Sequence, residues 1–290
     1  MQTVISSASR TVTIGPDEPF CIIGERINPT GRSKFSEQLR AGDLSRIEVD
    51  VTQQLAGGAM VLDVNMGVPL TDEAELLCSA VKMVQGLTDL PLVIDSSVVE
   101  ALEAALEVYQ GKPLVNSVTG EQERLDGILP LVRRYGAAVI ALPNEEDEIP
   151  DDPRKRLEIT RKIIDTAVGR YDIPLADIVI DPLAMPIGAD TTLVNKTLET
   201  IWLIREEFGV NMTLGAGNVS FGMPNRPVLG ATFLPMAMHC GLTSAIMDAR
   251  NPVMVEAVKA ADLLLGNDAW GANWIAAHRA KLRAAEAATP

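Results

Sequence analysis

Six apolar runs in this chain end in the same kind of side chain. Asp63 and Asn65, Asp95, Asn116, Asp181, Asn218 and Asp248 each stand just behind a short hydrophobic stretch. None of these ends carries His, Cys, Lys or Tyr, the side chains that serve covalent nucleophilic catalysis. Carboxylates accept hydrogen bonds, whereas amides both donate and accept. Such a set suits a flat polar heterocycle. An adjacent N–H and amino group would meet a carboxylate, and a carbonyl with ring nitrogens would meet the amides. Asp or Asn at any single end is also an ordinary helix N-cap, but six ends of one chemistry weigh against that reading. Two rival chemistries use the same residues. A carboxylate pair could serve glycoside hydrolysis, but only 4% of the chain is aromatic, and sugar sites need rings to stack on. Asp63, Asp95 and Asp181 could gather a hard cation such as Mg²⁺, but asparagines interrupt the set and no phosphate loop accompanies it.

The runs themselves must position these groups. Strand-like segments fall at 20–24, 60–65, 90–94, 112–115, 137–142, 178–180, 211–214 and 244–247. Helical spacing follows at 34–56, from Thr71 as N-cap, at 98–109, 125–135, 154–170 and 192–208, in an apolar segment after Arg226, and at 253–265. The first of these is broken or softened near Gly42 and stopped by Gly57 and Gly58. Alternation without a period-two hairpin signal predicts a parallel sheet, and eight repeats predict an α/β chain folded as a (β/α)8 TIM barrel. One domain is expected over 1–290, with the barrel from about 18 to 266 and a helical tail at 267–290. No GxGxxG or GxxxxGK[ST] fingerprint follows the first strand, which weighs against an open nucleotide-binding sheet. In a barrel the carboxyl ends of all strands share one face, so the six polar ends converge there.

The stretch Gly215-Ala-Gly-Asn-Val-Ser-Phe-Gly-Met-Pro-Asn-Arg226 follows the seventh strand. Its glycines and proline make it a shaped loop rather than a linker. It presents Asn218, a side chain with a donor end and an acceptor end.

Bulk properties narrow the function further. A 47% hydrophobic chain of 290 residues can bury a large core. The formal net charge of -14 excludes a general nucleic-acid binder. Arg26, Arg32, Lys34 and Arg40 form a local basic cluster, either a solvated helix face or an anion dock. Cys21, Cys78 and Cys240 are too scattered for a zinc site or a disulfide framework and are expected as free thiols. His239 and His278 have no metal-spaced partner, so no metal site is expected. The acidic run at 145–152 reads as a solvated loop. Trp270 and Trp274 are available to an interface or to the underside of the barrel. With no signal peptide and no run of about 18 apolar residues, a cytoplasmic protein with no membrane partner is expected.

The chain resembles the pterin-binding methyltransferases. These include the methyltetrahydrofolate:corrinoid/iron-sulfur-protein methyltransferases and the folate-binding module of cobalamin-dependent methionine synthase. The resemblance is carried by Gly24-Glu-Arg-Ile-Asn-Pro-Thr-Gly31, Leu62-Asp-Val-Asn65, Ile94-Asp-Ser-Ser97, Val115-Asn-Ser117, Ile180-Asp-Pro182 and Gly217-Asn-Val-Ser-Phe-Gly-Met-Pro224, in that order. It implies that Asp95, Asn116 and Asp181 hold a pterin ring and that Asn218 approaches N5, where the methyl group rides. Asn28, Asp63, Asn65 and Arg226 would line or support the same face, and Asn28 could instead shape a turn before Pro29. The implied reaction moves a methyl group between N5 of tetrahydrofolate and the cobalt of a corrinoid (cobalamin), in either direction. No cobalamin signature Asp-x-His-x-x-Gly is present, so the corrinoid is expected on a separate protein docking above the barrel. Family resemblance implies a homodimer. A non-catalytic folate-binding module, or an enzyme like dihydropteroate synthase, is the alternative. The latter shares the fold, but its late Ser-x-Lys element is missing here. No strand-end residue is an obvious general acid near neutral pH, so the proton for N5 is expected through water or an extended network.

Overall fold

The computed structural model describes residues 1–145 and 149–287. A two-stranded antiparallel hairpin, β1 (Thr3–Ser6) and β2 (Thr11–Ile14), precedes a parallel sheet of eight strands. These are β3 (Cys21–Ile27), β4 (Val61–Asn65), β5 (Leu92–Asp95), β6 (Leu114–Thr119), β7 (Ala138–Leu142), β8 (Ile178–Ile180), β9 (Asn211–Met212) and β10 (Ser244–Met247). Their order runs β10-β3-β4-β5-β6-β7-β8-β9. The chain just past β9 closes the ring: Gly215 bridges Ile246, the Ile246 amide donates to Leu214 (2.9 Å), and the Ala216 amide donates to Ile246 (2.9 Å). The helices are α1 (Ser33–Arg40), α2 (Ser45–Gly57), α3 (Glu73–Leu87), α4 (Val99–Val108), α5 (Gln122–Tyr135), α6 (Pro153–Tyr171), α7 (Leu193–Phe208), α8 (Arg226–Cys240), α9 (Pro252–Leu265) and a tail helix α10 (Ala272–Ala287).

Strand alternation divides the core in two. Alternate residues such as Ile22, Leu62, Val64, Ile94, Val115 and Ile180 pack outward into the helical layer. Cys21, Ile23, Val61, Val93, Leu114, Ile140 and Val179 point inward and pack together. Ile5, Val12 and Ile14 of the hairpin join that inner cluster and plug the amino-terminal end of the barrel. The hairpin is anchored by Asn211, whose amide donates to Thr3 Oγ1 and to the Ile14 carbonyl, both at 2.9 Å. Continuing the same period of two places Glu25, Asp63, Asn65, Asp95, Asn116 and Asp181 on the inner face of the opposite end. The barrel interior therefore has an apolar floor and a polar top.

Several local expectations are corrected. The hairpin carries no signal long enough to read, because each strand has four residues. The first barrel strand continues past Gly24 through Glu25 and Arg26, since a charged residue at this end can face the polar interior. Of the two outcomes expected near Gly42 the structure takes the break: Gly42, whose φ is 72°, lies between α1 and α2. The N-cap of α3 is Asp72, which accepts from the Glu75 amide (3.0 Å), while the Thr71 hydroxyl donates to Val68 (2.8 Å). Trp270 is 98% exposed, and Trp274 is 36% exposed. Neither packs beneath the barrel, because the hairpin already covers that end. Cys21 is buried, Cys78 and Cys240 are half-buried, and all three thiols are free. Within the acidic run, 146–148 lie outside the described residues. Among the described residues no helix is long and apolar enough to cross a membrane.

Candidate active site

Asn65, Asp95 and Asn116 are direct cross-strand neighbours on β4, β5 and β6. They form a row across two strand spacings, about 10 Å, close to the length of a bicyclic ring. Asp63 lies one inward-facing position deeper and is 1% exposed. The Asn116 amide reaches toward it, with Nδ2 3.5 Å from Asp63 Oδ1. The register shifts beside Asn116 on β6 and between Gly24 and Ile27 on β3, and such irregularities re-aim side chains at a barrel rim. Ser96 and Glu73 form a short hydrogen bond behind Asp95, tying the start of α3 to the end of β5.

Asp181 and Asn218 come from the far side of the mouth. Asp181 Oδ1 accepts from the Leu183 amide at 2.8 Å. Asn218 is exposed and opens a short 3-10 turn, Asn218–Ser220. Arg226 braces this loop, donating to the Gly217 carbonyl (2.9 Å) and the Ser220 hydroxyl (3.3 Å) while lying over the Phe221 ring (5.2 Å). Asn28 Oδ1 accepts from the Thr30 amide (2.9 Å), so that side chain shapes the turn after β3. The Ile187 amide donates to the Val219 carbonyl (3.0 Å) and straps the loop after β8 to the loop of Asn218.

The electrostatics differ from the sequence expectation. Burial pushes Asp181 up to about 7 and Asp95 up to about 6. Burial, with Asp95 nearby, pushes Asp63 well above the usual carboxylate range. Groups able to hold a proton near neutral pH are therefore present, although as strand-end acids they look ordinary in sequence. The low dielectric at the strand ends makes the difference. Glu25, missed as a site residue, is raised by burial and by Asp248. Its odd position two after Ile23 was the available signal. Asp248 behaves oppositely. Burial would raise it, but hydrogen bonds from Arg250 (2.7 and 2.8 Å) and Gln54 (3.1 Å) outweigh that and hold it low.

Buried polar atoms without a protein partner gather at this end of the barrel. Among the described residues they include Arg26 Nε, Thr119 Oγ1, Asn144 Oδ1 and Thr213 Oγ1. Leaving each unpaired costs about 1–3 kcal/mol. The fold thus forgoes stability where the carboxylates converge, as binding sites commonly do. A cavity of about 1150 Å³ lies elsewhere, between α2, α9 and α10, with Trp274 and His278 on its wall. Its wall includes Asp248 but not Asp63, Asn65, Asp95, Asn116, Asp181 or Asn218, so the candidate site is the barrel mouth. Among the described residues no group of three or more His, Cys, Asp or Glu side chains is placed to hold a metal ion.

Comparison with known proteins agrees with this geometry. The family described as pterin binding enzyme matches residues 24–248, from within the first barrel strand to Asp248. The chain belongs to the pterin-binding enzyme family. It is 31% identical over 253 residues to a methylcorrinoid:tetrahydrofolate methyltransferase from Eubacterium limosum, covering 85% of this chain and 92% of that protein. It is 30% identical over 257 residues to a methionine synthase from Mycobacterium tuberculosis, covering 84% of this chain but only 22% of that much longer protein. Among solved structures, a Yersinia pestis dihydropteroate synthase with a pterine-sulfa conjugate superposes with a TM-score of 0.69 at 16% identity, covering 91% of this chain and 98% of that one. A Xanthomonas albilineans dihydropteroate synthase with 7,8-dihydropteroate gives 0.65 at 19% identity, covering 90% and 98%. At those identities the structures establish the shared fold.

Proposed function

We propose that this protein is a methyltransferase acting between N5 of tetrahydrofolate and the cobalt of a corrinoid carried by a separate protein. The carrying observation is the site itself: the Asn65–Asp95–Asn116 row faces a loop presenting Asn218. Similarity to a methylcorrinoid:tetrahydrofolate methyltransferase over 92% of its length supports the reading. The two named relatives point to opposite directions of transfer, so the reaction is written as reversible.

Asp95 and Asp181 accept hydrogen bonds from the pterin N–H and amino groups, and Asn116 meets its carbonyl edge. That grip fixes the ring and leaves N5 toward the mouth, under Asn218. The tertiary amine is a poor leaving group and needs a proton or a strong hydrogen bond as its C–N bond breaks. Asn218 donates that hydrogen bond. Asp63, which keeps its proton above the usual carboxylate range, stores one behind Asn116. The cobalt of the partner's corrinoid would supply the nucleophile, or in the reverse direction the methyl donor. The barrel supplies orientation and preorganised dipoles. A homodimer is also proposed, using exposed Leu264, Trp270 and Ile275 at the tail; a monomer in sedimentation at assay concentration would remove it.

The test is turnover with methyltetrahydrofolate and reduced cobalamin. Asn218→Ala should lower kcat about 10²-fold with little change in substrate affinity, the size expected for losing one aimed donor. Unchanged kcat would remove Asn218 from the chemistry. Binding without any turnover in the wild type would leave a folate-binding module.

A further inference from the structure

We infer that Arg156, on α6, is a positioning residue that orients Asp181 and keeps its carboxylate available to accept hydrogen bonds. The inference rests on the reading of Asp181 as a ring-holding group. Arg156 is fully buried, with 0% of its surface exposed. A guanidinium so placed is costly unless its donors are used and its charge is needed. Nε and Nη1 donate to backbone, while Nη2 has no protein partner among the described residues. Nε donates to the Pro150 carbonyl (2.6 Å), and Nη1 donates to the Pro182 (2.8 Å) and Leu183 (2.9 Å) carbonyls. One side chain therefore joins the loop after β7 to the loop after β8.

The fork matters because of what Leu183 does. Leu183 sits at φ 62°, a left-handed conformation that a residue with a side chain adopts at a cost of about 1–2 kcal/mol. Its amide, held in that conformation, is the group that donates to Asp181 Oδ1. The Thr197 hydroxyl also reaches the Leu183 carbonyl, at 3.4 Å. Releasing the fork lets the strained peptide relax and withdraws the amide from the carboxylate. Through the Ile187–Val219 hydrogen bond, the same loop braces the turn that begins at Asn218.

The charge matters separately, because none of the three acceptors is a carboxylate. Burial raises Asp181, while the Leu183 amide and the Arg156 charge pull it back down. The carboxylates that act on Arg156 are Asp151 and Asp181. Asp151 lies ahead of α6 and pairs with Lys196 of α7 at 3.3 Å. Among the described residues, Arg156 is the charged side chain that acts on Asp181. A neutral replacement leaves Asp181 buried with no cation beside it, and the carboxyl keeps its proton to higher pH.

Lysine and glutamine separate the two roles, since lysine keeps charge without the fork and glutamine removes both. Asp181 is titrated by carboxyl NMR in the ligand-free protein, and tetrahydrofolate affinity is measured by calorimetry between pH 6 and 8.5. Arg156→Gln should raise the Asp181 midpoint by about one pH unit and weaken binding about fivefold at pH 7, recovering toward pH 8.5. Arg156→Lys, which keeps the charge but loses the fork and with it the Leu183 amide, should raise the midpoint less than Arg156→Gln does and still weaken binding at pH 8.5. In an Asp181→Asn background neither change should weaken binding further, because residues that act through one another are not additive. A folded Arg156→Gln protein with the wild-type midpoint overturns the inference, as does an undiminished loss in the Asp181→Asn background. If Arg156→Gln does not fold, Arg156→Lys with and without Asp181→Asn carries the same decision. Wild-type protein that binds no tetrahydrofolate ends the folate reading, while the NMR titration still decides whether Arg156 governs Asp181.

Discussion

The amide of Asn218 lies over Gly215, with Nδ2 3.0 Å and Cγ 3.3 Å from where a Cβ on that glycine would stand. Gly215 is not in the left-handed region, so alanine fits its backbone, and the nearest atoms to its Cβ are those of Asn218. Gly215→Ala should therefore fold and push the amide outward by a few tenths of an ångström. We expect kcat to fall about tenfold while tetrahydrofolate affinity stays within about twofold, since small misplacements of a reacting group are felt in the chemical step. Equal losses in kcat and affinity would mean that the loop collapses. Arg226 shows how position changes a residue's meaning. Its guanidinium is engaged by Gly217 and Ser220, so it holds the loop that carries Asn218.

At the scale of elements, the hairpin of β1 and β2 and the strand ends have separate duties. Ile14 is 0% exposed and closes the apolar floor beneath the polar layer. Ile14→Ala should cost about 2–5 kcal/mol, from lost burial and the cavity left behind. Because the damage lies at the amino-terminal end of the strands, folate affinity at a temperature where the protein is folded should not change. A matching loss of affinity would show that floor and site are one cooperative unit. The loops after β8 and β9 are different, being joined by the Ile187–Val219 strap. Sequence reading placed the eight barrel strands, because apolar runs bounded by turn residues are strong signals. It missed the hairpin, whose register depends on the barrel end it covers.

For the whole molecule, the raised carboxyls set a pH dependence. Asp181 is pushed up to about 7, and Asp95 and Asp262 up to about 6, each chiefly by burial. In the unfolded chain such groups titrate near 4. The folded state thus binds the extra protons, and each group's contribution is complete below about pH 4 and lost as pH rises through its folded value. The ligand-free protein should lose stability between about pH 5 and 7, by about 1 kcal/mol per pH unit per group until that group's folded value is passed. Thermal melts across that range check it, and a flat or rising melting temperature would contradict it. Tetrahydrofolate offers N–H donors and so favours the ionised carboxylates. Its binding near pH 6.5 should release protons, visible as a buffer-dependent heat in calorimetry.

Sequence alone determined the class of the fold and which side chains stand at the carboxyl ends of its strands. Period-two and period-3.6 patterns are local, and a parallel barrel brings all its strand ends to one face whatever the details. Asp63, Asn65, Asp95, Asn116 and Asp181 therefore follow from placing the strands, and Asn218 from the shape of its loop. What only the tertiary structure decided is how those groups behave. Burial raises Asp95 and Asp181 toward neutrality, while Arg250 and Gln54 hold Asp248 low, although all three are aspartates behind similar apolar runs. Arg156 gave no signal either, because in sequence it is one more base on an amphipathic helix. Dielectric, charge partners and hydrogen bonds come from residues distant in the chain, and no local pattern carries them.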